Sequence, residues 1–243
     1  MDTLSGLGIF QKLKGRQKVR ICAFGSSNTE RFDTGMHWFD FLHLGFVLNY
    51  GASFCHALNA GVSGNTSTQM LERIEEDIAP YRPDLTIITC GGNDSCPGRN
   101  ISEACFRDNL LKMHERLSRF GEVLFQTYYA CDLEKFDQPG YAVAFPRYMQ
   151  IIRDCAAQVQ APLIDHYTRW DRLRKYSMPH YRLLMRDSMH LNRYGNMVMG
   201  LDLLRRFGFE LSADKMDYCR EGLMTQCILD LLEKQALEIR IEQ

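Results

Sequence analysis

A serine near one end of the chain and a histidine near the other carry the residue types that acyl transfer needs. Ser27 stands in Phe24-Gly25-Ser26-Ser27-Asn28-Thr29, directly after a largely apolar run. His190 closes Asp187-Ser188-Met189-His190. An aspartate placed there can accept from one ring nitrogen while the other nitrogen faces a hydroxyl. Two polar loops lie between, Asn59-Ala60-Gly61-Val62-Ser63-Gly64-Asn65 and Gly91-Gly92-Asn93-Asp94. Gly61 lacks a Cβ, so its amide can approach an oxyanion closely, and Asn93 offers a side-chain amide as a further donor. Taken singly, each motif has an ordinary explanation. Ser27 could cap a helix, both glycine loops make good turns, and Asp-x-x-His recurs by chance. Taken together they supply a nucleophile, a base with its orienting carboxylate, and N–H donors.

Positioning these groups requires an alternation of strands and helices. Residues 19–24, 52–58, 85–90, 123–129 and 162–165 read as five strands, rich in apolar residues and bounded by turn formers. Residues 38–50, 102–120, 145–160 and 192–207 read as helices. Another helix starts at Thr66 or Ser67. Its apolar stripe is Met70, Leu71, Ile74 and Ile78, its polar face Glu72, Arg73, Glu75, Glu76 and Asp77, and Pro80 and Pro83 close it. Alternation of this kind predicts an α/β fold with a parallel sheet of about five strands and helices on both faces. Ligands bind such sheets outside the carboxyl ends of the strands, where Ser27, the Gly61 loop and Asn93 all fall. Residues 1–207 form the expected domain. Residues 208–243 form a C-terminal helical extension, with an apolar stripe of Met224, Cys227, Ile228, Leu231, Leu232, Ala236 and Leu237. That stripe is expected to pack on the domain or on a partner subunit, making a homodimer possible.

Composition narrows the class. A chain of 243 residues with 45% hydrophobic and 24% charged residues can bury a substantial core. A net charge of -1 gives no overall pull toward nucleic acid or an anionic membrane, and the basic stretch 169–175 reads as solvated surface. No apolar run reaches the roughly 20 residues of a membrane span. Residues 1–10 include acidic Asp2 and lack a long apolar core, so no signal peptide is expected. The 9 cysteines show no paired spacing, which suits reduced thiols and a cytoplasmic protein. His37, His43, His56, His114, His166 and His180 show no zinc spacing, so neither metal nor organic cofactor is expected.

The four blocks, in this order and with strands before them, resemble the SGNH hydrolase superfamily, the GDSL-type esterases and lipases. The resemblance spans about residues 19–207. It implies a flavodoxin-like three-layer α/β/α sandwich, with Ser27 as nucleophile, His190 as base and Asp187 as its partner. It also implies an oxyanion hole made by the amides of Ser27 and Gly61 and the side chain of Asn93. One departure stands out: the family's Gly-Asp-Ser is here Gly25-Ser26-Ser27, which removes an acceptor beside the nucleophile. Ser26 is the rival nucleophile, but Ser-Asn-Thr-Glu continues the family pattern after Ser27.

The resulting expectation is a serine ester hydrolase acting on a small-molecule ester. No long apolar lid is evident, which favours a short acyl group, such as acetyl on a carbohydrate. Asn28, Trp38 and Asp94 are the expected substrate contacts, with Phe32 and His37 on the same wall. Tyr128, Tyr129, Phe136, Tyr141 and Phe145 form a second wall or lid. Lysophospholipase or thioesterase activity, transfer to a sugar alcohol, and a noncatalytic binding role remain open. A flavin-binding protein of similar fold is disfavoured, because residues 25–30 are too poor in glycine and basic residues for a phosphate loop.

Overall fold

A computed structural model describes residues 4–31, 35–136 and 138–209, together with Met224, Gln226, Cys227, Ile228, Asp230, Leu231 and Lys234 of a further helix. Five strands form one sheet: β1 (Val19–Gly25), β2 (Cys55–Gly61), β3 (Leu85–Thr89), β4 (Glu122–Gln126) and β5 (Leu163–Ile164). All pairs are parallel, in the order β2-β1-β3-β4-β5. This is the flavodoxin-like order, and its switch point lies where β1 and β3 are neighbours. β3 is buried at every position, as its continuous apolar and β-branched run requires.

Helices cover both faces. On one face α1 (Gly8–Lys14) packs near β1, and α2 (Trp38–Tyr50) lies along α8 (Arg193–Arg206). Phe10, Phe46, Phe207 and Phe209 interlock there, with ring centroids 4.9 to 6.4 Å apart. The other face carries α3 (Ser67–Glu72), α4 (Glu103–Leu117) and α5 (Tyr141–Gln158). Helices α6 (His166–Tyr176) and α7 (Met178–Arg182) lead toward the histidine loop.

Several boundaries differ from the sequence reading. β2 runs three residues later than expected because Gly61 pairs with Gly25 at the sheet edge. β4 stops at Gln126, so Tyr128 and Tyr129 lie on the loop beyond it. α5 begins at Tyr141, four residues before the expected start at 145, so Pro146 sits inside its early turns. α3 stops at Glu72 and continues after Arg73 as a wider π-turn, Ile74–Ile78. Arg73 stands at that junction, its side chain only 13% exposed.

The basic stretch of α6 is largely paired with acids. Arg169 meets Asp202 and Asp230, and Arg174 and Lys175 meet Asp171. Among the described residues of the last helix, Gln226 is buried and Asp230 bonds Arg169 (2.8 Å) and Arg205 (3.0 Å). Met224, Cys227, Ile228 and Leu231 of the expected apolar stripe are exposed, while Leu232, Ala236 and Leu237 lie outside the described residues. No helix among the described residues is long and apolar enough to cross a membrane. Their cysteines are free thiols.

Candidate active site

The carboxyl ends of β1, β2 and β3 bring the sequence motifs to one edge of the sheet. After β1 the chain turns tightly, with the amides of Thr29 and Glu30 both donating to Ser26 O at 2.9 and 2.8 Å. The turn places Ser27 at a pocket also lined by Asn28, Glu30, Arg31, His37, Tyr129, Arg186 and His190. The pocket encloses about 440 Å³ of space open to solvent.

Ser27 Oγ lies 2.9 Å from His190 Nε2. His190 Nδ1 lies 2.8 Å from Asp187 Oδ1 and 2.9 Å from Oδ2. A carboxylate on Nδ1 fixes the tautomer with its proton there, leaving the Nε2 lone pair to accept the Ser27 proton. Asp187 Oδ1 also accepts from the amides of Met189 and His190, each at 2.8 Å, so the Asp-x-x-His turn closes on itself. Burial raises the Asp187 pKa. The Met189 amide and the His190 ring outweigh it and hold the carboxyl below its ordinary range.

Ser26 points the other way. It is buried, and its Oγ lies 2.8 Å from Tyr128 Oη. A tyrosine hydroxyl thus meets the side chain that precedes Ser27. The geometry places Ser27 Oγ, and not Ser26 Oγ, against the imidazole.

The expected oxyanion donors need one revision. The Gly61 amide already donates to Asn59 Oδ1 at 3.0 Å. The role of Gly61 is close packing: a Cβ on it would stand 2.1 Å from Glu30 N. Three residues on, Gly64 has φ +78°, a left-handed turn that suits glycine. Among the described residues the amides of Ser27 and Gly64 have no acceptor. Asn93 Nδ2 donates one proton to Asn65 O at 2.9 Å, and its second proton is left for another acceptor. The sequence signal for Gly64 was present in the same loop, as a glycine followed by Asn65-Thr66 before a helix. Only the backbone angle separates it from Gly61.

Arg73, which the helical pattern put among solvent-facing residues, braces this edge. Nη2 donates to Gly25 O and Ala60 O, both at 2.9 Å, and Nε donates to Asn65 Oδ1 at 2.8 Å. Its guanidinium lies 4.6 Å from the Phe24 ring centroid. One side chain therefore ties the ends of β1 and β2 to the turn that contains Gly64 and accepts a hydrogen bond from Asn93.

Two expected substrate contacts are structural. Trp38 is buried, and its Nε1 donates to Asn28 O at 2.8 Å. Asp94 is buried and accepts from the Ser67 amide at 2.8 Å, joining the Asn93 loop to the start of α3. Asn28 does line the pocket, although its side chain is engaged by Tyr129. His37 also lines it: Nε2 donates to Asn28 O (3.2 Å), and Nδ1 accepts from the Phe39 amide (3.3 Å). Burial pushes the His37 pKa down to about 4. Phe32 lies outside the described residues. Tyr128, Tyr141 and Phe145 are core residues and not a lid. Phe145, on α5, lies 5.5 Å from Tyr141 and 6.2 Å from Tyr128, and Phe136 lies tilted against Tyr141 at 4.3 Å. Only Tyr129 of that aromatic group reaches the pocket. No group of three or more metal-ligating side chains occurs among the described residues.

Residues 23–198 match the GDSL-like Lipase/Acylhydrolase family. An acetylxylan esterase from Geobacillus stearothermophilus is 24% identical over 165 residues, covering 63% of this chain and 72% of that one. Crystal structures of Axe2, an acetylxylan esterase from the same organism, superpose with a TM-score of 0.68 at 18% identity, over 80% of this chain and 96% of theirs. A lipase/acylhydrolase from Enterococcus faecalis gives a TM-score of 0.65 at 22% identity, over 80% of this chain and all of that one (100%). The chain belongs to the GDSL-like lipase/acylhydrolase family and is a carboxylic ester hydrolase of the SGNH type.

Proposed function

We propose that the protein removes short acyl groups, acetyl foremost, from esters of carbohydrate hydroxyls through an acyl-enzyme on Ser27. The observation that carries this is the relay Ser27 Oγ–His190 Nε2 at 2.9 Å and His190 Nδ1–Asp187 Oδ1 at 2.8 Å, opening on a pocket lined chiefly by polar and charged side chains. His190 takes the Ser27 proton as Oγ attacks the ester carbonyl. The amides of Ser27 and Gly64 and the side chain of Asn93 receive the oxyanion. His190 then protonates the departing sugar oxygen. Water, deprotonated by His190, attacks the acyl-enzyme, releasing the acid and restoring Ser27. Asp187 steadies the imidazolium at both stages.

The pocket lining supports a small acyl group, because Met36 and Leu191 are the main apolar side chains in it and an alkyl chain needs a longer apolar channel. The esterases that share the fold support a sugar alcohol as leaving group. Among them, catalytic mutants of Axe2 replace an aspartate and a histidine three positions apart, the spacing of Asp187 and His190.

The test is hydrolysis of p-nitrophenyl acetate, butyrate and octanoate and of acetylated xylo-oligosaccharides by wild type, Ser27→Ala and Ser26→Ala. The expected result is a preference for acetyl and release of acetate from the oligosaccharide. A loss of about 10³-fold or more is expected in Ser27→Ala alone. A preference for octanoate, or retained turnover in Ser27→Ala, overturns the reading.

A further inference from the structure

The nucleophile and the base stand 163 positions apart, on loops from opposite ends of the domain. Beyond the reacting contact itself, something must hold those loops in register. Tyr129 lies between them, 1% exposed, on the loop after β4. Its hydroxyl donates to Asn28 Oδ1 at 2.5 Å and Met189 O at 2.6 Å, the proton shared between the two acceptors. The same oxygen accepts from the Leu191 amide at 3.1 Å. Asn28 follows Ser27, and Met189 and Leu191 flank His190. One hydroxyl thus touches the neighbour of the nucleophile and both neighbours of the base.

The ring is fixed as well. It packs against Trp170 at 5.4 Å and edge-on to Tyr128 at 6.2 Å, so the hydroxyl has little freedom to tilt. Asn28 is held from its far side, since its carbonyl accepts from Trp38 Nε1 (2.8 Å) and His37 Nε2 (3.2 Å). The hydroxyl is therefore a rigid tie between two anchored segments.

We propose that Tyr129 is a positioning residue of the ester-hydrolase reaction, setting the Ser27–His190 distance through Asn28 and the Met189–Leu191 backbone. This rests on the Ser27 reading above. A nucleophile and base displaced by a fraction of an ångström from reacting distance lose rate while ground-state binding is unchanged. The signature is thus a fall in kcat at constant KM, and it separates this role from a substrate contact by Asn28 or Tyr129, which moves KM.

The experiment is Tyr129→Phe, which keeps the ring and removes the oxygen, with Asn28→Ala and the double variant. Each is read by kcat and KM on p-nitrophenyl acetate, by the rate of Ser27 inactivation with a small fluorophosphonate, and by urea unfolding. Folded Tyr129→Phe is expected to lose about 10- to 100-fold in kcat and in inactivation rate, with KM within about 2-fold. Asn28→Ala is expected to lose about 5-fold in kcat, and the double variant to be no worse than Tyr129→Phe, because both cut one tie. Tyr129→Phe with kcat and inactivation rate within about 2-fold of wild type overturns the proposal, as does a rise in KM at constant kcat. Should Tyr129→Phe fail to fold, Asn28→Ala decides, an unchanged kcat and inactivation rate overturning the tie. A wild type that hydrolyses no acetyl ester yet is labelled at Ser27 sinks the substrate reading alone, and the inactivation rates still judge Tyr129. A wild type that is not labelled at Ser27 overturns both.

Discussion

Replacing Arg73 by methionine tests whether the oxyanion edge is braced from behind. Methionine keeps an unbranched stem and removes the guanidinium. Three bonds to partly buried acceptors are lost: Gly25 O, Ala60 O and Asn65 Oδ1. At about 1.5 kcal/mol for each charge-assisted bond the gross loss is about 4.5 kcal/mol. Two effects reduce it. The guanidinium no longer has to be desolvated, and Gly25 O keeps the Val62 amide at 3.1 Å. The Asp77 partner is 37% exposed and adds little. The net expectation is a destabilisation of about 3 kcal/mol, read as a lower urea midpoint with an unchanged slope. Loss of the Asn65 contact frees the peptide that Asn93 grips, so one oxyanion donor is misaimed without being removed. A full donor deletion costs about 10²- to 10³-fold in kcat, so about 10- to 50-fold is expected here, with KM little changed. Arg73→Lys retains the charge but not the fork that reaches three acceptors, and is expected to recover less than half of the stability loss. Full recovery of both stability and kcat by lysine would refute the argument, because charge alone would then suffice. Arg73→Met with a wild-type midpoint and kcat would refute it more simply.

Four further outcomes rest on the same geometry. Gly61→Ala drives a Cβ to 2.1 Å from Glu30 N and should cost several kcal/mol or prevent folding, on the order of a severe overpacking. Gly64→Ala meets only the backbone cost of φ +78°, about 1 kcal/mol, and should lower kcat by about 10-fold. A Gly61→Ala protein of wild-type stability would sink the assignment of Gly61 to packing. Ser26→Ala deprives Tyr128 Oη of its 2.8 Å partner and should cost about 1 to 2 kcal/mol by urea unfolding, with kcat lowered less than 10-fold. A Ser26→Ala loss as large as that of Ser27→Ala contradicts this. Burial holds His37 and His166 neutral in the folded protein, with pKa values pushed down to about 4 from an unfolded value near 6.5. Between those values the unfolded chain binds protons that the folded one does not, so stability falls as pH drops from about 6.5 toward about 4, by about 1 kcal/mol per pH unit for each histidine. His37→Asn keeps a helix cap without a titrating ring, so the difference between urea midpoints at pH 7 and pH 5 should shrink. An identical difference in wild type and variant shows that His37 contributes nothing to it.

The strands were legible because each core strand is an apolar run ended by turn residues, and β3 is buried along its whole length. Ser27, Asp187 and His190 were legible for a related reason. Each sits at a boundary between elements, where a short polar motif interrupts an apolar pattern. The loop at residues 59–65 was legible as a loop but not in its parts. Gly61 and Gly64 look alike in sequence, and one serves close packing while the other takes a left-handed turn. Arg73 was unreadable because helical periodicity assigns a residue to a face but does not say what a long side chain can reach, and its guanidinium extends to Gly25 O, Ala60 O and Asn65 Oδ1.

The aromatic residues mislead for a deeper reason. Trp38, Tyr128 and Tyr129 have the composition of a binding wall, a flat ring with a polar tip, and composition does not say whether the tip meets a ligand or the backbone. Here all three tips turn to the loop that holds Ser27: Trp38 to Asn28 O, Tyr128 to Ser26 Oγ, Tyr129 to Asn28 Oδ1. They converge on residues 26–28. An ionised aspartate accepts several bonds and can order such a loop alone, whereas Ser26 has a single short hydroxyl. The bonds around Ser27 come instead from buried rings 10 to 102 positions away in sequence. The order of the Gly25-Ser26-Ser27 turn is therefore intelligible only with Trp38, Tyr128 and Tyr129 in view, because these three buried aromatics hold the residues on either side of Ser27.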